Sequence, residues 1–139
     1  MAEDTHRNVT LSRIETGRYE LRNPAGARLE FGSGDDEFSA VELLMGAIGG
    51  CTAADVDSLT SRRAEPIDFE IQVDAEKIRD DDGNRLKDIE VTFRLRFPEG
   101  EAGDEAREVY PKAVELSHDR LCTVGRTVQL PTPITNHVE

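Results

Sequence analysis

The chain has 139 residues, enough for one domain with a modest core, and the whole of it reads as a single domain, 1–139. A formal charge of −12 disfavours a nucleic-acid partner, because a phosphate backbone needs a positive footprint. The longest stretch without charge or proline, Leu43–Ala54, is too short to span a bilayer and holds three glycines.

Glu3, Asp4, His6 and Arg7 near the start leave no room for the apolar segment of a signal peptide, so a cytoplasmic, soluble protein is expected, with no membrane partner. With 37% hydrophobic residues and no Trp, the core must rest on Val, Ile, Leu and Ala, and a second copy would help complete it. Fourteen of the 17 basic residues are Arg. An acid-rich, Lys-poor surface suits a very salty cytoplasm, where screening removes carboxylate repulsion; an ordinary acidic protein is the alternative.

Val9, Leu11 and Ile14 lead into Thr16–Leu21, and Asn23-Pro24-Ala25-Gly26 then makes a strong turn signal before Arg28–Phe31. An antiparallel hairpin is predicted. Ser39 and Glu42 form a capping box, with Phe38 and Leu43 at the staple positions around it. The helical pattern runs from there to about Arg63 and is stopped by Pro66. Apolar residues nearly encircle its first half, the mark of a buried helix. Gly46, Gly49 and Gly50 each cost about 1 kcal/mol of helix propensity, which a closely packed neighbouring backbone would offset.

Beyond Pro66 the period changes to two. Ile67, Phe69, Ile71, Val73 and Ala75 alternate with polar residues, as do Ile89, Val91, Phe93, Leu95 and Phe97. The turn at 80–84 joins them into a second hairpin with one wet face, its acidic first strand paired with a basic second. A helix is predicted over 103–118, kinked or restarted at Pro111. Another should begin near Cys122 and stop before Pro131, and the tail from Pro133 to Glu139 is read as a last strand.

Two cysteines 71 positions apart are neither a secreted disulfide framework nor a zinc site, and His6, His118 and His137 are scattered, so no metal or cofactor is expected. Cys51 follows Gly49-Gly50 in mid-helix, where a small buried residue is as reasonable as a reactive one. Cys122 stands where a helix begins. A helix N-terminus, aided by Arg120 or Arg126, would lower its pKa; a plain N-cap role is the alternative.

Together these segments resemble the OsmC/Ohr family. Its first hallmark is a helix whose small-residue run ends in Cys, matched by Glu42-Leu43-Leu44 through Gly49-Gly50-Cys51. The second is a Cys opening a short helix, matched by Cys122-Thr123-Val124-Gly125-Arg126. The resemblance implies an α+β fold with antiparallel sheets around a long buried central helix, in an intertwined homodimer with active sites at the interface.

It also implies a thiol-dependent peroxidase for organic hydroperoxides, in which Cys51 is oxidised to a sulfenic acid, Cys122 resolves it to a disulfide, and an external dithiol reductant restores both. Arg18, in Thr16-Gly17-Arg18, matches the hairpin Arg that stabilises the thiolate, with Arg22 and Arg28 as rivals. The family's peroxidase branch pairs that Arg with a Glu ten residues before the first Cys. Here the position holds Val41, and Glu42 lies on the side of the helix opposite Cys51. Thr123 and Gly125 replace the usual Pro and Ser, a departure that points to the less-characterised OsmC-like branch. The alternative is a non-catalytic dimer that binds a small apolar ligand or senses redox state.

Overall fold

The computed structural model describes residues 4–139. It is a mixed α+β structure that divides into two compact units, Met1–Leu44 and Met45–Glu139.

The first unit holds a three-stranded antiparallel meander, β1 (Thr10–Glu15), β2 (Arg18–Arg22) and β3 (Arg28–Gly32), in that order. The Asn23 turn forms as the sequence predicts. Gly26 N–H donates to Asn23 O at 3.1 Å, the Asn23 side-chain oxygen accepts from Ala27 N–H at 2.9 Å, and Gly26 takes φ +96°, which suits glycine. Phe31 is buried beside Tyr19, with ring centroids 5.7 Å apart.

Helix α1 (Ala40–Ser61) begins in the first unit, and the residues from Met45 onward belong to the second. Its capping box is reciprocal: Ser39 N–H donates to Glu42 Oε1 at 3.0 Å, and Glu42 N–H donates to Ser39 Oγ at 3.1 Å.

In the second unit, β4 (Asp68–Asp80) and β5 (Gly83–Arg96) form a long antiparallel hairpin. Half-buried Phe69, Ile71, Val73, Ile89, Val91, Phe93 and Leu95 alternate with exposed polar residues. The expected acid–base pairing appears in the ion pairs Asp68–Arg96 (2.6 Å) and Asp80–Arg85 (2.7 Å). A bulge between Asp74 and Glu76 shifts the phase by one, so the inward residues beyond it are Ile78 and Leu86.

Helix α2 (Glu101–Leu116) runs through Pro111 without restarting. It passes directly into a π-helical turn, Ser117–Leu121, and α3 (Thr123–Gln129) follows. Phe97, 4% exposed, packs edge-on against Tyr110 with centroids 6.0 Å apart. Among the described residues no helix is long and apolar enough to cross a membrane.

One expectation needs correction. The tail is not a strand: residues 130–139 have no regular structure and are exposed throughout, with Ile134 at 86% and Val138 at 96%. Pro131 and Pro133 each lack the N–H that a ladder would require. Within one chain, α1 is covered on one side. Ile48, Gly49, Thr52, Val56 and Thr60 are its buried residues, while Leu44, Gly46, Ala47, Gly50 and Ala54 stay exposed. Only Gly49 meets a close neighbour, and that neighbour is the side chain of Val73 on β4 rather than another backbone.

Candidate functional site

Both cysteines lie in the second unit, and the fold brings them together across 71 positions. Cys51 sits on the middle turns of α1, half-buried; Cys122 is 3% exposed; both are free thiols. Cys51 is near enough to perturb the ionisation of the Cys122 thiol directly.

Cys122 is the N-cap of α3, and its Sγ accepts a hydrogen bond from Gly125 N–H at 3.2 Å. That contact favours the thiolate, as the sequence suggests, but it does not prevail. Burial in apolar surroundings pushes the thiol above its ordinary pKa, and Cys51 and Asp55 add to the rise. At Cys122, burial thus outweighs the N-cap hydrogen bond. Cys51, the more accessible of the two, is the better placed to meet a reagent first.

A cavity of ≈ 540 Å³ opens beside Cys122. Ile48 of α1, Val91 and Phe93 of β5, and Pro111 and Val114 of α2 make it predominantly apolar. Thr52, Glu115, His118 and Gln129 supply its polar groups, and Cys122 is the thiol on its wall. The alternation of β5 placed Val91 and Phe93 on the inner face; only the passage of α2 over that face turns them into a cavity lining.

One set of residues at this place escaped the sequence reading. Ser117, fully buried, makes a 2.8 Å hydrogen bond with Thr52 and donates to Asp55 Oδ2 at 2.8 Å. Its carbonyl accepts from Cys122 N–H at 2.9 Å. The only sequence signal was the i, i+3 spacing of Thr52 and Asp55 beside Cys51, too common a pattern to stand out.

Arg18 belongs to the first unit, at the start of β2. All three of its guanidinium nitrogens are paired: Nε with Glu37 at 2.7 Å, Nη2 with Glu30 at 2.8 Å and Nη1 with Glu15 at 3.4 Å. The charge of Glu37, ahead of the others, makes Arg18 hold its proton more tightly than an ordinary guanidinium. Glu37 comes from the loop before α1, and its second oxygen Oε2 is buried without a hydrogen-bond partner among the described residues. Arg22 bonds Ser12 Oγ at 2.8 Å and Glu20 at 3.3 Å, and Arg28 reaches Glu20 at 3.6 Å.

Comparison with known proteins agrees with this architecture. Protein YhfA of Escherichia coli K12 is 28% identical over 109 residues, which is 77% of this chain and 76% of YhfA. An OsmC-like protein of unknown function from Vibrio cholerae O1 biovar eltor has the same fold with a TM-score of 0.73 at 8% identity, covering 90% of this chain and 94% of that one. The organic hydroperoxide resistance protein OhrB of Bacillus subtilis superimposes with a TM-score of 0.51 at 16% identity, covering 88% and 90%. The OsmC-like protein family model matches residues 32–136, a span that takes in the capping box, α1, the long hairpin and both cysteine contexts. The chain belongs to the OsmC-like protein family.

Proposed function

We propose that this protein is a thiol-dependent peroxidase that reduces organic hydroperoxides. The observation that carries the reading is the neighbouring of two free thiols from distant helices, one half-buried and one buried. Cys51 attacks the outer peroxide oxygen as thiolate, the O–O bond breaks, an alcohol leaves and Cys51 becomes a sulfenic acid. Cys122 then displaces hydroxide from that sulfur, giving water and a disulfide, which an external dithiol reduces. The apolar cavity beside Cys122 suits the alkyl part of such a substrate. Arg18, held by Glu37, is the cation proposed to favour the Cys51 thiolate.

Two copies form the working unit in this reading. The support is the exposed apolar side of α1, with Leu44, Ala47 and Ala54 beside Gly46 and Gly50, where an added methyl would meet nothing within 4 Å. The chain acts as one 1–139 domain in the cytoplasm, with no cofactor.

Steady-state turnover of cumene hydroperoxide with dithiothreitol tests the proposal. Cys51→Ser should abolish it, and Cys122→Ser, oxidised with one equivalent of hydroperoxide in the absence of dithiothreitol, should stop at the Cys51 sulfenic acid without forming a disulfide. A Cys51→Ser variant with full activity would refute it. The cavity also favours a second reading, binding of a small apolar ligand without turnover, which would show as binding of the alcohol product equally well by both variants.

A further inference from the structure

The Thr52–Ser117–Asp55 chain has a fixed direction. Asp55 is a carboxylate and only accepts, so the Ser117 hydroxyl proton goes to it; the remaining bond must then be donated by Thr52 Oγ to Ser117 Oγ. Thr52 follows Cys51 directly, and Asp55 lies one turn further along the same helix. Ser117 opens the π-helical turn, and its own carbonyl closes that turn by accepting from Cys122 N–H. A single buried residue thus connects the helix of one thiol to the backbone of the other.

A π turn carries one residue more than an α turn, a geometry that needs an external reason to persist. The two side-chain bonds supply it. Were α2 to continue as a regular helix, Cys122 would rotate away from its present position, and the Thr52 hydroxyl and Asp55 carboxylate would lose a buried partner.

We propose that Ser117 is a positioning residue for the resolving thiol: gripped by Thr52 and Asp55 of the Cys51 helix, it holds the π turn that delivers Cys122 to Cys51. For its chemistry this rests on the proposed peroxidase reading. The step served is Cys51–SOH + Cys122–SH → disulfide + H2O, in which the S–S bond forms, the S–O bond breaks, and the thiol proton leaves with the hydroxide as water. Disulfide geometry tolerates only a narrow range of Cα separations, so loss of the anchor acts on this step and not on the attack at peroxide.

Two measurements on the full chain test the proposal. In glutathione redox buffers, with thiols counted by alkylation and mass, Ser117→Ala should lower the equilibrium constant for the Cys51–Cys122 disulfide at least tenfold, about 30 mV for this two-electron couple. In rapid mixing with cumene hydroperoxide and dimedone as trap, the same variant should form the Cys51 sulfenic acid at close to the parent rate yet convert it to disulfide at least tenfold more slowly. Asp55→Ala should behave likewise, and Asp55→Asn, which keeps an acceptor for the Ser117 hydroxyl, should recover most of the loss. Asp55 is only half-buried, so its two variants carry the test if Ser117→Ala does not fold.

Parent-like values in both measurements for Ser117→Ala or Asp55→Ala would overturn the proposal, as would an equal slowing of both steps. A parent protein that forms the disulfide in glutathione but yields no sulfenic acid with the hydroperoxide would sink the peroxidase reading and leave the positioning role standing. A parent that forms no disulfide at any glutathione ratio would sink the positioning role itself.

Discussion

Gly49→Ala measures how tightly α1 is seated on the long hairpin. A methyl built at position 49 would lie 2.9 Å from Cγ2 of Val73 and 3.6 Å from Cγ2 of Ile71. Both neighbours are β-branched, with χ1 restricted, so neither can swing aside as a long flexible side chain would. Alanine gains about 1 kcal/mol over glycine in a helix interior, whereas overpacking a filled site costs about 1–3 kcal/mol. The net expectation is destabilisation of roughly 1 kcal/mol, where an open helical position would give stabilisation of similar size. Urea unfolding should show the midpoint falling without a change in slope. Val73→Ala removes the clashing methyl, so the double variant should recover about 1–2 kcal/mol relative to the sum of the single changes, within the usual range for residues in contact. A Gly49→Ala protein that is more stable than its parent would refute the close seating of α1 on β4.

Gly50→Leu, on the exposed side of α1, should weaken self-association at least tenfold in sedimentation while the chain stays folded; unchanged association would remove that side from the proposed dimer interface. Arg18→Ala should slow oxidation of Cys51 by an alkyl hydroperoxide at least threefold in rapid mixing, and an unchanged rate would remove Arg18 from the proposed site. Glu37→Gln, which removes the main partner holding Arg18 in place, should give a smaller slowing in the same assay. Cys122 in a Cys51→Ser background should titrate above the ordinary thiol value of about 8.5. Because its folded pKa is raised, the stability this thiol contributes is fully present below its unfolded pKa and falls as pH rises through the folded value, which unfolding series at alkaline pH will read. Phe97→Ala should cost about 3–5 kcal/mol in urea unfolding, since it empties a buried aromatic site against Tyr110.

Local chemistry determined much of this protein within the sequence alone. The Ser39–Glu42 box, the Asn23–Gly26 turn and the period-two runs on either side of residues 80–84 each act over a few residues, and they form as their spacing dictates. The two cysteine contexts, one after a small-residue run and one at a helix start, were legible for the same reason. The tertiary structure decided what depends on contacts between distant segments. The N-terminus of α3 argued for a lowered Cys122 pKa, but burial, set by what packs around the thiol, reverses the sign. The partner of Arg18 is Glu37 from a loop, because chain geometry and not helical spacing brings that carboxylate to the meander. Ser117, at the start of the π turn before Cys122, bonds Thr52 and Asp55 some sixty positions away, a contact with no local signature.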